Sequence, residues 1–394
     1  MTDAASSEEG LSSEQLSSED ISWNAVVELL NPAKTKLSIM LIFVPLAIYF
    51  GSVGHNTPLA FATSIAAIMP LAYLMGEATE QIALKTNESI GGLLNATFGN
   101  AAEMIIAIFG VLAAATAIKE GDSQTAETMI NVVQASLIGS ILGNLLLVLG
   151  IAFVWGGIHH KVQKFSRTQV GANGSLLFLA VIALILPSMF EFSRNDSQEA
   201  VTTLSHLTAV VLLAVYGLFL LFQLRTHNDL FATDVHHGSE DAVMGKKQAL
   251  TLLIGSTIMV AWMAEIMVHS IESAADEWGL PTLFIGIILL PLFGNAAEHF
   301  TAVNVARKNK MDLAFSIAVG SSTQIAVFVA PAVVLFAWCL GVPLTFQFGL
   351  FETIAVFLAV LITNTIASDG KSNWLEGALL LATYIVLAMA FFFY

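Results

Sequence analysis

From Leu37 to its last residue the chain alternates long apolar runs with short polar breaks. Eleven runs can be drawn, at roughly 37–54, 58–84, 89–117, 127–156, 169–189, 198–224, 247–274, 281–306, 312–340, 346–367 and 373–394. Each approaches or exceeds the ~18 apolar residues that a helix needs to cross a hydrocarbon core of ~30 Å. None shows the apolar–polar alternation of a barrel strand, and backbone groups inside lipid must be satisfied within the segment, so the runs predict helices. Before them lies a Ser- and Glu-rich tail, MTDAASSEEGLSSEQLSSED. It has too little apolar surface to offset its ordering entropy, and no basic stretch leads an apolar core as in a signal peptide. The short apolar stretch Ile21 to Leu30 predicts a helix lying on the membrane surface.

Composition agrees with this pattern. Hydrophobic residues make up 56% of the 394 positions and charged ones 11%, against about 25% charged in soluble domains. The mean hydropathy is +0.78. The sequence reads as an all-α, polytopic membrane protein. The net charge of −15 argues against nucleic acid, whose binding rests on basic patches. A single cysteine, Cys339, excludes an internal disulfide framework or a cysteine metal cage. Five of the six Trp fall at or beyond run ends, Trp262 being the exception, as an interfacial aromatic belt would place them. With the N-terminus in the cytoplasm, thirteen of the fifteen basic residues fall inside and only Lys119 and Arg194 outside. That asymmetry predicts a cytoplasmic N-terminus and, after eleven crossings, a non-cytoplasmic C-terminus.

The chain also repeats itself. Ile90 to Glu103, IGGLLNATFGNAAE, matches Ile285 to Glu298, IGIILLPLFGNAAE, at nine of fourteen positions. Chance pairing of apolar helices readily matches Leu and Ala, but rarely Gly, Asn and Glu together. Runs 2–6 and 7–11 then form two copies with run 1 left over, and an odd number of crossings per copy sets the copies in opposite orientations. Inverted duplications of this kind build many secondary transporters, with the ion site at the repeat interface near the bilayer midplane. The implied layout is a tail at 1–36, a first helix at 37–57, repeat 1 at 58–224, a linker at 225–246 and repeat 2 at 247–394. A weaker correspondence sets Gly139-Ser140 and Asn144 beside Gly320-Ser321 and Gln324.

The chemistry centres on Glu103 and Glu298. Glu103 lies midway between Lys85 and Lys119, and Glu298 stands nine residues before Arg307, about 13 Å along a helix. Both fall near mid-membrane, where an ionisable group is costly and marks function by default. With no basic residue at that depth in either run, the pair must bind protons or a cation. Asn100 and Asn295 precede the glutamates by three residues and share their helix face. Carboxylate and amide oxygens form a hard site suited to Ca²⁺. Gly99 and Gly294 can loosen the helix and free carbonyls, or simply allow close packing. Gln134, Ser140, Asn144, Ser321, Thr323 and Gln324 are candidates for the site or a proton path, and Glu77, Glu80 and Glu265 for cation-guiding vestibules. Glu352 and Glu376 read as helix N-terminal charges, His299 as structural, and the acidic linker between Arg225 and Lys247 as solvated. No HExxH, GxSxG or GxxxxGK[ST] motif is present, so uphill transport must be driven by another ion.

The two Gly-Asn-Ala-Ala-Glu runs, with His299 after the second, resemble the signature repeats of the calcium/proton exchanger (CAX) family of the cation/calcium exchanger superfamily, similar to vacuolar calcium/proton exchangers. The likeness extends through Gln134 to Ser140, Lys310-Met-Asp312, Gly320 to Gln324 and Ser372 to Gly377. It implies an eleven-helix antiporter that exchanges cytosolic Ca²⁺ for H⁺ through Glu103 and Glu298, with Ca²⁺ and H⁺ as substrates and no cofactor. Its membrane would be vacuolar or of another acidic organelle in a eukaryote, and the cell membrane in a bacterium. The strongly acidic linker helix of many vacuolar members has only a short, mildly acidic counterpart here. A sodium-coupled exchanger and a cation channel are the rival readings, and the preference between Ca²⁺ and Mn²⁺ and the oligomeric state stay open.

Overall fold

The computed structural model of the chain describes residues 23–54, 56–86, 88–193, 198–227 and 243–394. Arg194 and the linker acids Asp229, Asp234, Glu240 and Asp241 lie outside them. The described chain is almost wholly helical, and among its helices nine are long and apolar enough to cross a membrane, with a tenth span if one bent pair is counted as one. A surface helix over 23–30, α1, precedes a short apolar helix, α2 (Lys36–Ser52). Then follow α3 (Thr57–Ala83), α4 (Glu88–Phe98), α5 (Ala101–Glu120), α6 (Ser123–His159), α7 (Arg167–Ser193) and α8 (Gln198–Leu221). The second half holds α9 (Lys246–Trp278), α10 (Thr282–Gly294), α11 (Ala296–Arg307), α12 (Met311–Cys339), α13 (Leu350–Ala367) and α14 (Trp374–Phe393).

Three features depart from the apolar pattern. The run at 89–117 is two helices, α4 and α5, and the run at 281–306 is the bent pair α10 and α11, which meet at 56°. Apolar periodicity misses these breaks because Gly and Asn interrupt helical geometry without interrupting hydrophobicity. The run at 346–367 begins as helix only at Leu350, since the residues before it are irregular. Helices α6 and α12 also widen into π-helical turns, over Gly143–Val148 and Ile325–Val329. Such turns rotate the residues beyond them and recur at functional sites.

Burial sorts the helices into layers. In α6, 83% of the apolar window is buried, against 17% in α8 and 22% in α14. The first is therefore central, and the other two present Leu, Ile and Phe outward, as lipid-facing helices do. The long helices α3 and α9 pack along one another, with α2 against α3. At its start α6 is capped by Asp122, whose side chain accepts from the Thr125 N–H and whose carboxyl is thereby held below the ordinary range.

Two loops tie the halves together. In the loop after α6, β1 (Gln163–Lys164) pairs antiparallel with β2 (Lys371–Ser372). Gln163 Nε2 donates to the Ala306 carbonyl at 2.8 Å and to Asn309 Oδ1 at 3.0 Å, and the Ser166 N–H donates to Asp312. Lys161, Lys164, Arg167, Arg307, Lys308, Lys310 and Lys371 thus share one face of the molecule. In the loop before α13, the mostly buried, irregular residues Leu344 to Phe348 are held by side chains of the first half. Gln134 Nε2 donates to the carbonyls of Thr345 and Gln347, Ser188 bridges Phe346 and Phe348, and Ser205 accepts from the Phe346 N–H. These bonds satisfy backbone groups that a buried irregular segment cannot pair by itself.

Candidate functional site

Both motif copies break their helix at the same residue. Asn100 (φ −107°, ψ 24°) precedes Ala101 at the start of α5, and Asn295 (φ −93°, ψ 11°) precedes Ala296 at the start of α11. Glu103 and Glu298 are therefore each the third residue of a new helix. There, unpaired N–H groups and the positive end of the helix dipole favour a carboxylate. The sequence pattern asks for exactly this only in part: shared helix faces follow from the spacing, whereas the break follows from Gly-Asn.

The two asparagines are 1% exposed and Glu103 is 8% exposed. A single chain of hydrogen bonds connects both copies through α6 and α12. Asn100 Nδ2 donates to Gln324 Oε1 at 2.7 Å, and Ser321 Oγ donates to Asn100 Oδ1 at 2.6 Å. Asn144 Nδ2 donates to Ser321 Oγ at 2.9 Å and to Glu298 Oε2 at 3.2 Å, while its Oδ1 accepts from Asn295 Nδ2 at 3.4 Å. The Glu103 and Glu298 carboxylates are near enough to repel one another. Two oxygens, Glu103 Oε2 and Asn295 Oδ1, are buried without a partner among the described residues. Both residues line one small cavity of about 10 Å³, together with Ser136, Ser140, Pro291 and Gly294.

Close packing brings the halves together at this cavity. A Cβ added at Gly139 of α6 would lie 2.1 Å from the Ile287 carbonyl oxygen, and one at Gly286 would lie 2.5 Å from Ala135 Cβ. Gly294 differs: its added Cβ would meet only Ile106, at 3.8 Å. The close-packing role predicted for the motif glycines belongs to Gly139 and Gly286. Gly294 has room, and Gly99 is exposed at the break.

Of the residues singled out in the sequence, Glu103, Glu298, Asn100, Asn295, Ser140, Asn144, Ser321, Gln324 and Gly294 gather here. Thr323 is buried and donates to the Val319 carbonyl of its own helix. Gln134 donates to the carbonyls of Thr345 and Gln347 in the irregular segment before α13. Glu77 is hydrogen-bonded to Tyr73, and Glu265 is exposed on α9. Asn144 was a candidate by residue type, but its carboxylate partner was not legible. One site residue escaped the sequence reading. Ser136 carried no signal, since a lone serine in a membrane helix usually bonds its own backbone, as this one does to Val133.

The sodium/calcium exchanger protein family matches residues 56–225 and 248–393. The chain is 47% identical over 370 residues to the Ca²⁺/H⁺ antiporter of Aphanothece halophytica, covering 90% of this chain and 95% of that protein. It is 38% identical to the vacuolar calcium ion transporter of Schizosaccharomyces pombe, over 91% of this chain and 84% of that protein. Among solved structures, native YfkE matches with a TM-score of 0.76 at 37% identity, covering 91% of this chain and all of YfkE.

Proposed function

The chain belongs to the sodium/calcium exchanger protein family, and from that premise we propose that it is a secondary antiporter exchanging cytosolic Ca²⁺ for H⁺ by alternating access. The observation that carries the reading is the pair of partnerless oxygens, Glu103 Oε2 and Asn295 Oδ1, one from each motif copy, on one buried cavity beside Glu298. Hard oxygen donors without partners suit a hard cation. The names of similar proteins, Ca²⁺/H⁺ antiporters among them, support Ca²⁺ as that cation and H⁺ as its counter-substrate.

In this reading Glu103 and Glu298 bind the ion, Asn100 and Asn295 add amide oxygens, and Asn144 and Ser321 orient them. Two ionised carboxylates in the membrane interior are costly, so the site crosses neutralised, either by Ca²⁺ or by protons. Among the described residues no group of three or more His, Cys, Asp or Glu is placed to hold a metal. A low charge count favours the moderate affinity that a cargo site needs for release. Eleven crossings, with one helix followed by two inverted five-helix copies, would let the halves rock about this site. The basic face, with Lys164 and Lys371, would be cytoplasmic.

The test is Ca²⁺ uptake into proteoliposomes driven by an imposed pH gradient without sodium. Glu103→Gln and Glu298→Gln should each abolish it, because one carboxylate leaves a divalent ion half neutralised. Robust uptake by either variant, at wild-type protein level, would refute a shared site.

A further inference from the structure

Helix α1 roofs a cavity of about 430 Å³ between α2, α3 and α9, far from the glutamates. Its Trp23, Val26 and Leu30 face the cavity, while Ala25 and Val26 anchor the helix on Met244 and Ala249. The lining is apolar in effect as well as in composition. Thr251 Oγ1 donates to the Lys247 carbonyl, and Ser256 Oγ to the Leu252 and Leu253 carbonyls, so neither hydroxyl is offered to a ligand. Apart from Gln248, at the lysine-bearing start of α9, a polar substrate would find no partner in the lining.

Shape and charge identify what would. Along α9 the lining runs from Gln248 to Met259, about 16 Å at the helical rise. That is about half of a ~30 Å hydrocarbon core, the depth of one leaflet. Exposed cations begin the helices that form the cavity walls: Lys247 lies one helical turn before Thr251, Lys246 adjoins it, and Lys36 begins α2, whose Leu41 and Val44 form the opposite wall. Lys34 stands nearby and is paired with Glu28. The acids on α3, Glu77 and Glu80, are engaged on the face of Tyr73 instead.

We propose that this groove is a binding site for one anionic phospholipid, with an acyl chain between α2, α3 and α9 under α1 and the headgroup phosphate at Lys36 and Lys247. Cationic side chains at the mouth of an apolar slot select a negatively charged lipid over a zwitterionic one. An amphipathic helix at the interface, Trp23 at its end, closes the slot from the water side.

Gly255 gives a clean probe, because a Cβ added there meets nothing within 4 Å and a larger side chain would project into the groove. Gly217 on α8 is equally open but distant and serves as control. The full chain would be purified after reconstitution in equal amounts of phosphatidylglycerol and phosphatidylcholine, and retained lipid counted by native mass spectrometry. Wild type and Gly217→Phe should retain phosphatidylglycerol over phosphatidylcholine at least five-fold. Gly255→Phe should lose the bound lipid, and Lys36→Gln with Lys247→Gln should lose the headgroup preference while keeping a lipid. Equal retention by Gly255→Phe and Gly217→Phe would overturn the proposal, as would an equal hold on both lipids by wild type. Lipid that binds only after residues 1–22 are deleted would also overturn it, by making the chain's own tail the occupant.

Discussion

Asn144, from the first half of the chain, holds the Glu298 carboxylate of the second half with a 3.2 Å hydrogen bond. The same amide accepts from Asn295 and donates to Ser321, so one side chain on the central helix fixes three groups from the other half. Asn144 sits in the π-helical turn of α6, at Gly143–Val148. The extra residue in that turn lets the amide face the carboxylate while Ser140, a turn earlier, lines the same cavity.

Asn144→Ala would leave Ser321 and Glu298 each short of one donor in a buried setting. A lost bond of this kind costs about 1–3 kcal/mol, and about 1.4 kcal/mol is a factor of ten in an equilibrium constant. The Michaelis constant for Ca²⁺ should rise roughly ten-fold, with transport retained at saturating Ca²⁺. An unchanged constant would place Asn144 in packing alone.

The glycines separate two roles that look alike in sequence. Gly139→Ala forces a methyl to 2.1 Å from a backbone oxygen across the α6–α10 crossing, where neither helix can yield cheaply. Protein level and thermal stability should fall sharply. Gly294→Ala places its methyl at ordinary contact distance from Ile106, so the protein should accumulate normally. Any loss then appears in transport, through the helix break beside Asn295. Normal accumulation of Gly139→Ala would show that the halves can separate at this crossing.

Glu103, Glu298 and the two asparagines were legible because a polar motif recurs within apolar surroundings, although the spacing set them on one helix face and the fold puts each asparagine at a helix break. The irregular segment at 344–348 was not legible. Its residues are mostly apolar, so hydropathy merges it with α13, and what holds it out of the helix is a set of side chains some 140 to 210 residues away in the chain. The partners of Gln134 were hidden for the same reason. Its amide has the chemistry of an ion-path residue, but only the fold reveals that Thr345 and Gln347 occupy it.

Gln134→Leu accordingly tests a structural role. Two buried carbonyls lose their donor, which costs about 1–3 kcal/mol for each group left unsatisfied. The thermal midpoint should fall while the Michaelis constant for Ca²⁺ stays within about two-fold of wild type, a shift of under ~0.5 kcal/mol. A large change in that constant, at unchanged stability, would return Gln134 to the ion path.

The last expectation concerns protons. If Ca²⁺ and H⁺ neutralise the same carboxylates, then each excludes the other, and metal binding must release protons. The sign follows directly. Lowering pH on the side where Ca²⁺ binds loads the site with protons and raises the apparent Michaelis constant for Ca²⁺. Acid on the opposite side speeds exchange, because protons entering there discharge the ion and return the site neutralised. A site without cargo carries two repelling charges and cannot cross cheaply, so Ca²⁺ should not leak without a counter-ion. Proteoliposomes with a pH-sensitive dye inside would report proton efflux only when Ca²⁺ is supplied outside. Calcium uptake that ignores the pH gradient and follows sodium would reject the proton coupling. Passive Ca²⁺ flux with no proton movement would instead mark a channel.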